Sequence, residues 1–260
     1  MNDSGGKINM RIAIFSDVHG NLSGLEAVLE DISSRAVDEI VFAGDLCLVG
    51  PRPGSCLRRV RESNIHTVFG NTDDWILGRQ QPPPQLADLA QWTLAQLSET
   101  EQTWLAALPF AHRISPTGRT EDDLLVVHAN PQDVNQVIFP PEKEQLARYG
   151  QIRQTDDELD DLLAGTETAV LAFGHLHIPS VRTWRQTSLI NISSVSMPGD
   201  GDPRAKYGIF TWNGKGYSFE RRLVAYEIAA EVDAYRQAQP PGWEKIVETM
   251  ELEGSYPQKV

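Results

Sequence analysis

Residues 10–21 read MRIAIFSDVHGN. Met10 to Phe15 is a short apolar run that leads into Ser16-Asp17-Val18-His19. After Gly20-Asn21, residues Leu22, Leu25, Val28, Leu29 and Ile32 fall at helical spacing, which predicts a helix from Leu22 to about Arg35. A strand, a polar turn and an amphipathic helix make the opening of a βαβ unit. Four more short apolar runs end in the same way. Ile40 to Ala43 leads into Gly44-Asp45, and Thr67 to Phe69 into Gly70-Asn71. Leu124 to Val127 leads into His128, and Val170 to Phe173 into Gly174-His175-Leu176-His177. The carboxyl ends of parallel strands converge on one crevice, where ligands bind. The chain therefore delivers Asp17, His19, Asp45, Asn71, His128, His175 and His177 to one place, a set large enough to hold two metal ions.

The 260 residues, 40% hydrophobic and 23% charged, suit one large domain with a sizeable core. Residues 1–9 are polar and read as a flexible tail, and 10–260 as a single domain, with a helical C-terminal extension packed on it from Tyr226 onward. No apolar stretch approaches the length that crosses a bilayer, and the start lacks the apolar core of a secretory signal. Cys47 and Cys56 read as free thiols, and the expected location is cytoplasmic. A formal net charge of -13 repels nucleic-acid backbones, so non-specific binding to them is not expected.

Further along, helices are predicted at about Ser55 to Glu62, Leu86 to Leu97, Thr100 to Leu108, Glu142 to Tyr149 and Asp156 to Ala164. Ser98 with Glu101 reads as a capping box. From Val181 the pattern changes to short strands: Val181 to Trp184, Ser188 to Ile192, Tyr207 to Trp212 and Tyr217 to Arg221. The last two are joined by the hairpin Asn213-Gly214-Lys215-Gly216. Helices from about Tyr226 to Ala238 and Trp243 to Glu251 close the chain.

Carboxylate, imidazole and amide oxygen suit Mn, Fe, Zn, Co or Ni better than Ca, with Mn placed first, and the lack of thiolate argues against a structural zinc site. Two such ions about 3.5–4 Å apart, the spacing of many phosphate-cleaving sites, need an anion between them, because their repulsion is roughly 20 kcal/mol even at an effective dielectric of 20. A carboxylate and a hydroxide both serve. Two dications, two Asp and one hydroxide leave about one positive charge, a match for an anionic phosphate ester.

These five ordered blocks resemble the calcineurin-like metallophosphoesterases, and among them the compact bacterial phosphodiesterase branch, over nearly the whole chain. The Gly199-Asp200-Gly201-Asp202-Pro203-Arg204 stretch is similar to a loop of that branch. The resemblance implies an α/β fold, a four-layer α-β-β-α sandwich of two mixed sheets with a dimetal site at strand C-terminal ends. It implies that one metal takes Asp17, His19, Asp45 and His177, and the other Asp45, Asn71, His128 and His175, with Asp45 as bridge. It also implies hydrolysis of phosphodiester bonds of a small, nucleotide-like substrate by a metal-bridging hydroxide. A phosphomonoesterase or protein phosphatase of the same fold, or a non-catalytic metal-binding scaffold, are the alternatives.

The chain departs from the family pattern in three places. Many members carry His after the Asn of the third block, where it can protonate the leaving group; here it is Thr72, too weak an acid for that role. His128 is followed by Ala129 rather than Gly, and Asn191-Ile192-Ser193-Ser194 replaces Asn-Pro-Gly-Ser. Asn71 and Arg204 are candidate substrate contacts, Arg204 alternatively pairing with the Asp residues of its own loop. Asp73 and Asp74 read as groups supporting the ligands or as solvated ones. His66, entering a strand, and His112, in a loop, read as structural. Trp92 and Trp104 read as core packing, with Pro82 to Leu108 as a lid in the alternative.

Overall fold

The computed structural model describes residues 9–257. The expected tail falls, apart from Asn9, outside them. In chain order the elements are β1 (Met10–Phe15), α1 (Leu22–Ser33), β2 (Glu39–Phe42), α2 (Pro53–Glu62), β3 (His66–Thr67), α3 (Asn71–Ile76), α4 (Ala87–Ala95) and α5 (Glu99–Ala106). Then follow β4 (Ala111–Ile114), β5 (Leu124–Val127), α6 (Glu142–Tyr149), α7 (Glu158–Leu162), β6 (Val170–Phe173), β7 (Ser180–Trp184), β8 (Thr187–Asn191), β9 (Ala205–Trp212), β10 (Tyr217–Val224), α8 (Ile228–Ala238) and α9 (Trp243–Glu253).

Two five-stranded mixed sheets result. The first has the order β10-β9-β1-β2-β3, with β1, β2 and β3 parallel and β9 antiparallel to both β1 and β10. The second has the order β4-β5-β6-β8-β7, with β5, β6 and β8 parallel and the two edge strands antiparallel. Side chains alternate across each pleat. Ile12, Ile14 and Val41 therefore meet Val126, Ala172 and Ile190 between the sheets. Ala13, Phe15 and Phe42 face outward onto Leu25, Val28 and Leu29 of α1 and Leu57 and Val60 of α2. On the far side, Leu125, Val127, Leu171 and Phe173 pack on Leu159, Leu162 and Leu163. The four-layer α-β-β-α sandwich of the α/β class is thus formed, and strands buried on both faces read as near-continuous apolar runs for that reason.

Local signals place the helices. Asn21 caps α1, its Oδ1 accepting the Gly24 amide at 2.8 Å. Pro53 sits in the first turn of α2. Ser98 and Glu101 close both halves of the capping box on α5, with Ser98 N donating to Glu101 Oε2 at 2.7 Å and Glu101 N to Ser98 Oγ at 3.3 Å. Each fully buried Leu, Val or Ile on these inner faces contributes about 1.5–3 kcal/mol over its exposed state. Leu89, Ala90, Leu97 and Leu105 join the core, with Trp92 and Trp104 packed against it, so residues 82–108 form a wall of the core in this structure. Val232, Tyr235, Ile246, Val247 and Met250 of α8 and α9 enter the same core. Cys47 and Cys56 are buried free thiols.

The sequence pattern predicts a loop at His112, and the structure corrects this by placing it in the strand Ala111–Ile114. The strand is four residues long, two of them His112 and Arg113, and lies at a sheet edge, where the apolar signal is weakest. The short helix α3 also escaped, because it begins at Asn71 itself.

Candidate metal centre

Strand ends carry the polar blocks into turns that L-residues rarely adopt. Eleven non-glycine residues among those described have positive φ, and five of them are Asp17 (57°), His19 (48°), Asp45 (64°), His175 (63°) and His177 (60°). Such conformations cost on the order of 1–3 kcal/mol each and persist only where the surroundings enforce them. Here the loops brace one another. Asp17 N donates to Gly44 O and His19 N to Asp45 O, both at 3.0 Å, so the first and second blocks are zipped together. Ser194 Oγ donates to Asp17 O at 2.9 Å and Ser193 Oγ to His177 O at 2.6 Å. Asn191 Nδ2 donates to Gly174 O at 2.7 Å.

Two glycines are there because nothing larger fits. A Cβ on Gly70 would lie 2.1 Å from Asp45 Oδ1, and one on Gly174 would lie 2.1 Å from Asp17 Oδ2. Both backbones press against the carboxylates and hold them in place.

The seven side chains gather as two adjoining groups. Asp17, His19 and His177 offer ligand atoms within 4.8 Å of one another, as do Asp45, His128 and His175. In the first group His177 Nε2 is 3.0 Å and His19 Nε2 3.7 Å from Asp17 Oδ1, and the two Nε2 atoms are 3.2 Å apart. In the second, His128 Nε2 is 2.9 Å from Asn71 Oδ1 and 3.5 Å from Asp45 Oδ1. Asp45 faces both, its other oxygen Oδ2 lying 3.7 Å from His19 Nε2.

Backbone carbonyls decide which ring nitrogen is free. Leu48 O lies 3.0 Å from His19 Nδ1, Ala43 O 2.9 Å from His128 Nδ1, and Asn135 O 2.8 Å from His175 Nε2. A carbonyl only accepts, so each of these nitrogens carries the proton, and in the neutral ring the other nitrogen presents a lone pair. The same carbonyl contact fixes ring orientation and raises ligand basicity. The Nε2 atoms of His19 and His177 and the oxygens of Asp17 and Asp45 converge at 3.0–3.7 Å with no Lys or Arg of the described residues paired to them, a donor set that fits divalent ions of the Mn-to-Zn range.

Protonation agrees with that chemistry at Asp17 and His175, while the carboxylates beside His19 favour its protonated form until a cation replaces the proton. Burial alone would push the Asp17 carboxyl up, but His177 and His19 hold it well below the usual range, so it is ionised at neutral pH. Burial, with the neighbouring His128, pushes His175 down to about 4, so it is neutral. His19 feels burial downward, and its contacts with Asp17 and Asp45 carry it upward overall. Ionised carboxylate and neutral imidazole are the ligating forms.

Asp73 is a residue whose role the sequence left open. It is fully buried, and its carboxylate accepts from Gly70 N at 2.9 Å, Asp45 N at 3.1 Å and Leu46 N at 3.2 Å. The solvated reading fails for it. Burial and the nearby Asp45 push its pKa up to about 6. Asp74 is buried as well and receives Arg79 at 3.3 Å. Thr72 donates its backbone N–H to Asp45 Oδ1 at 3.0 Å, while its hydroxyl is buried with no partner among the described residues. Ala129 is not among the residues of positive φ, so its methyl strains nothing in the backbone. Arg204 pairs with its own loop; its Nε lies 3.0 Å from Asp202 Oδ1 and its Nη2 2.5 Å from Asp202 Oδ2. The bracing by Asn191, Ser193 and Ser194 was not anticipated. Its only signal was a cluster of small polar residues directly after a strand.

The profile of the calcineurin-like phosphoesterase superfamily domain matches residues 10–215. An uncharacterised protein of Methanocaldococcus jannaschii is 27% identical over 91% of this chain and 96% of its own. The crystal structure of a metallophosphoesterase from Sphaerobacter thermophilus superposes with a TM-score of 0.70 at 30% identity, covering 94% of this chain and 99% of that one. A hypothetical protein from Pyrococcus horikoshii OT3 shares the fold with a TM-score of 0.75 at 14% identity, over 96% and 98% of the two chains. Profile, fold and the order of the strand-end blocks agree, and the chain belongs to the calcineurin-like phosphoesterase superfamily.

Proposed function

We propose that this protein is a metal-dependent phosphoric ester hydrolase that cleaves phosphodiester bonds in a small, nucleotide-like substrate. The observation that carries the reading is Asp45, whose two oxygens face two separate groups of ligating side chains at 3.5 and 3.7 Å. One ion is assigned to Asp17, His19, Asp45 and His177, the other to Asp45, Asn71, His128 and His175. A pair of divalent ions, manganese foremost, supplies when bound an activated water as nucleophile and polarises the phosphoryl oxygens.

The chain's own part is to position and to neutralise. Leu48, Ala43 and Asn135 carbonyls present the imidazoles in one tautomer. Asp73 holds the Asp45 turn through two backbone amides. Asn71, at the start of α3 and 2.9 Å from His128 Nε2, is assigned both as a ligand and as a substrate contact. No general acid stands at Thr72, so esters with good leaving groups are the favoured substrates. Arg204 would have to leave a two-point pair with Asp202 to reach an anion, which makes Asn71 the stronger candidate contact. A net charge of -13 favours small esters over polyanions. No described helix is long and apolar enough to cross a membrane.

The test is metal content after purification, with hydrolysis of bis-p-nitrophenyl phosphate and p-nitrophenyl phosphate measured with and without Mn²⁺. Mn²⁺-dependent cleavage of the diester ahead of the monoester is expected. A metal-loaded, inert protein would replace this reading with a scaffold.

A further inference from the structure

A second cluster of imidazole and carboxylate lies away from the centre described above. Glu39 opens β2, His66 opens β3, and His112 lies in β4, the edge strand of the other sheet. One ligand atom from each lies within 4.8 Å of the other two. His112 Nε2 is 2.7 Å and His66 Nε2 3.7 Å from the same oxygen, Glu39 Oε1. The two rings stack with centroids 4.4 Å apart and 17° between planes. Glu39 precedes Asp45 by six residues, about 20 Å of extended chain, so the two sets of ligands are separate.

We propose that Glu39, His66 and His112 form a binding site for a borderline divalent transition ion of the zinc type, which clips the facing edges of the two sheets. Two imidazoles and one carboxylate are a common zinc donor set, completed by water in the fourth position. Zn–N bonds of about 2.0–2.1 Å in a tetrahedron place neighbouring donors about 3.3 Å apart. The observed separations of 2.7 and 3.7 Å bracket that spacing. His66 is the more exposed member, with 56% of its side chain accessible, and its ring must turn out of the near-parallel stack on His112 before both lone pairs can point at one ion. A hydrogen bond between Glu39 and His112 would need one imidazole; the second, presented to the same oxygen from the neighbouring strand, is what a cation uses. Because His112 belongs to one sheet and the other two to the second sheet, the ion would cross-link them.

The test is calorimetric titration of the chelator-treated full chain with ZnCl₂ at neutral pH, compared with His66→Gln and His112→Ala. The wild type should bind one more equivalent than either variant. Its melting temperature should rise more on Zn²⁺ addition. Mn²⁺-supported hydrolysis should be the same in all three. His66→Gln decides alone if His112→Ala fails to fold, because its side chain is more than half exposed. Equal stoichiometry in wild type and variant would overturn the proposal. So would loss of hydrolysis along with the missing equivalent, which would assign that ion to the main centre. An extra equivalent with no difference in melting temperature would overturn the clip. The readout is a difference of one equivalent, so it stands or falls independently of the hydrolase assignment.

Discussion

Gly70→Ala is a stringent probe of the main centre. The new methyl carbon would sit 2.1 Å from Asp45 Oδ1, 2.7 Å from Asp45 N and 2.9 Å from Asp45 Cγ. Separations under 3.0 Å are essentially never tolerated, so Oδ1 must retreat by about 0.9 Å or the turn must shift. Neither is free. Oδ1 is held by Thr72 N at 3.0 Å and the turn by Asp73 at 3.1 and 3.2 Å. The φ at Gly70 is -113°, which alanine adopts without strain, so the effect is steric alone. Overpacking of this kind costs about 1–3 kcal/mol, a drop of roughly 2–12 °C in melting temperature for a chain this size. Displacing a ligand support should also weaken metal binding by about 10–100-fold. Gly216→Ala is the control, because a Cβ there meets nothing within 4 Å. Thermal melts in EDTA separate the packing cost from the metal effect, and Mn²⁺ titration measures the latter. Unchanged Mn²⁺ affinity together with an unchanged melting temperature would refute the reasoning.

Asp45→Asn should lower metal content and diesterase activity together, because it removes the one charge that faces both groups; full activity would show that the bridge lies elsewhere. Thr72→His should leave metal content intact, since the contact to Asp45 comes from the Thr72 backbone, and should raise monoesterase relative to diesterase turnover in steady-state assays. At Asp31, burial works upward on the pKa, but Arg35 and Tyr207 outweigh it and hold the carboxyl below its usual value. A depressed folded pKa gives stability that is present above the unfolded value of about 3.9 and is lost as pH falls through the folded one. Asp31→Asn should therefore melt below the wild type at neutral pH, with the gap closing in acid, as a pH series of melting curves would read.

The blocks at Asp17, His128 and His175 were legible because each follows a strand buried on both faces, and such strands are near-continuous runs of Val, Ile, Leu, Ala and Phe. The order of Asp17, Asp45, Asn71, His128 and His175 then followed the chain. What was not legible was carried by the backbone. Leu48, Ala43 and Asn135 orient imidazoles through carbonyls, which any residue could supply. The left-handed turns fall on Asp and His rather than on glycine, so the residue that would announce them is missing. Strand β4 was hidden by His112 and Arg113, and with it the meeting of His112 and Glu39, residues 73 apart in sequence. Asp73 gave no sign of burial, since a carboxylate beside another carboxylate in a turn usually faces water.

The two ligand groups share one property of placement. Asp17 and His19 leave the sheet that contains β1, while His177 leaves the sheet that contains β6; Asp45 and Asn71 likewise answer to His128 and His175 across the gap. Each group is a rivet through both halves of the sandwich, and its ligand spacing works as a caliper for their separation. Truncating Ile12 or Val126, buried between the halves, would be read out first as altered chemistry and only later as unfolding. With ions held by these ligands, sequence drift in that layer would change the spacing of the centre without touching a ligand.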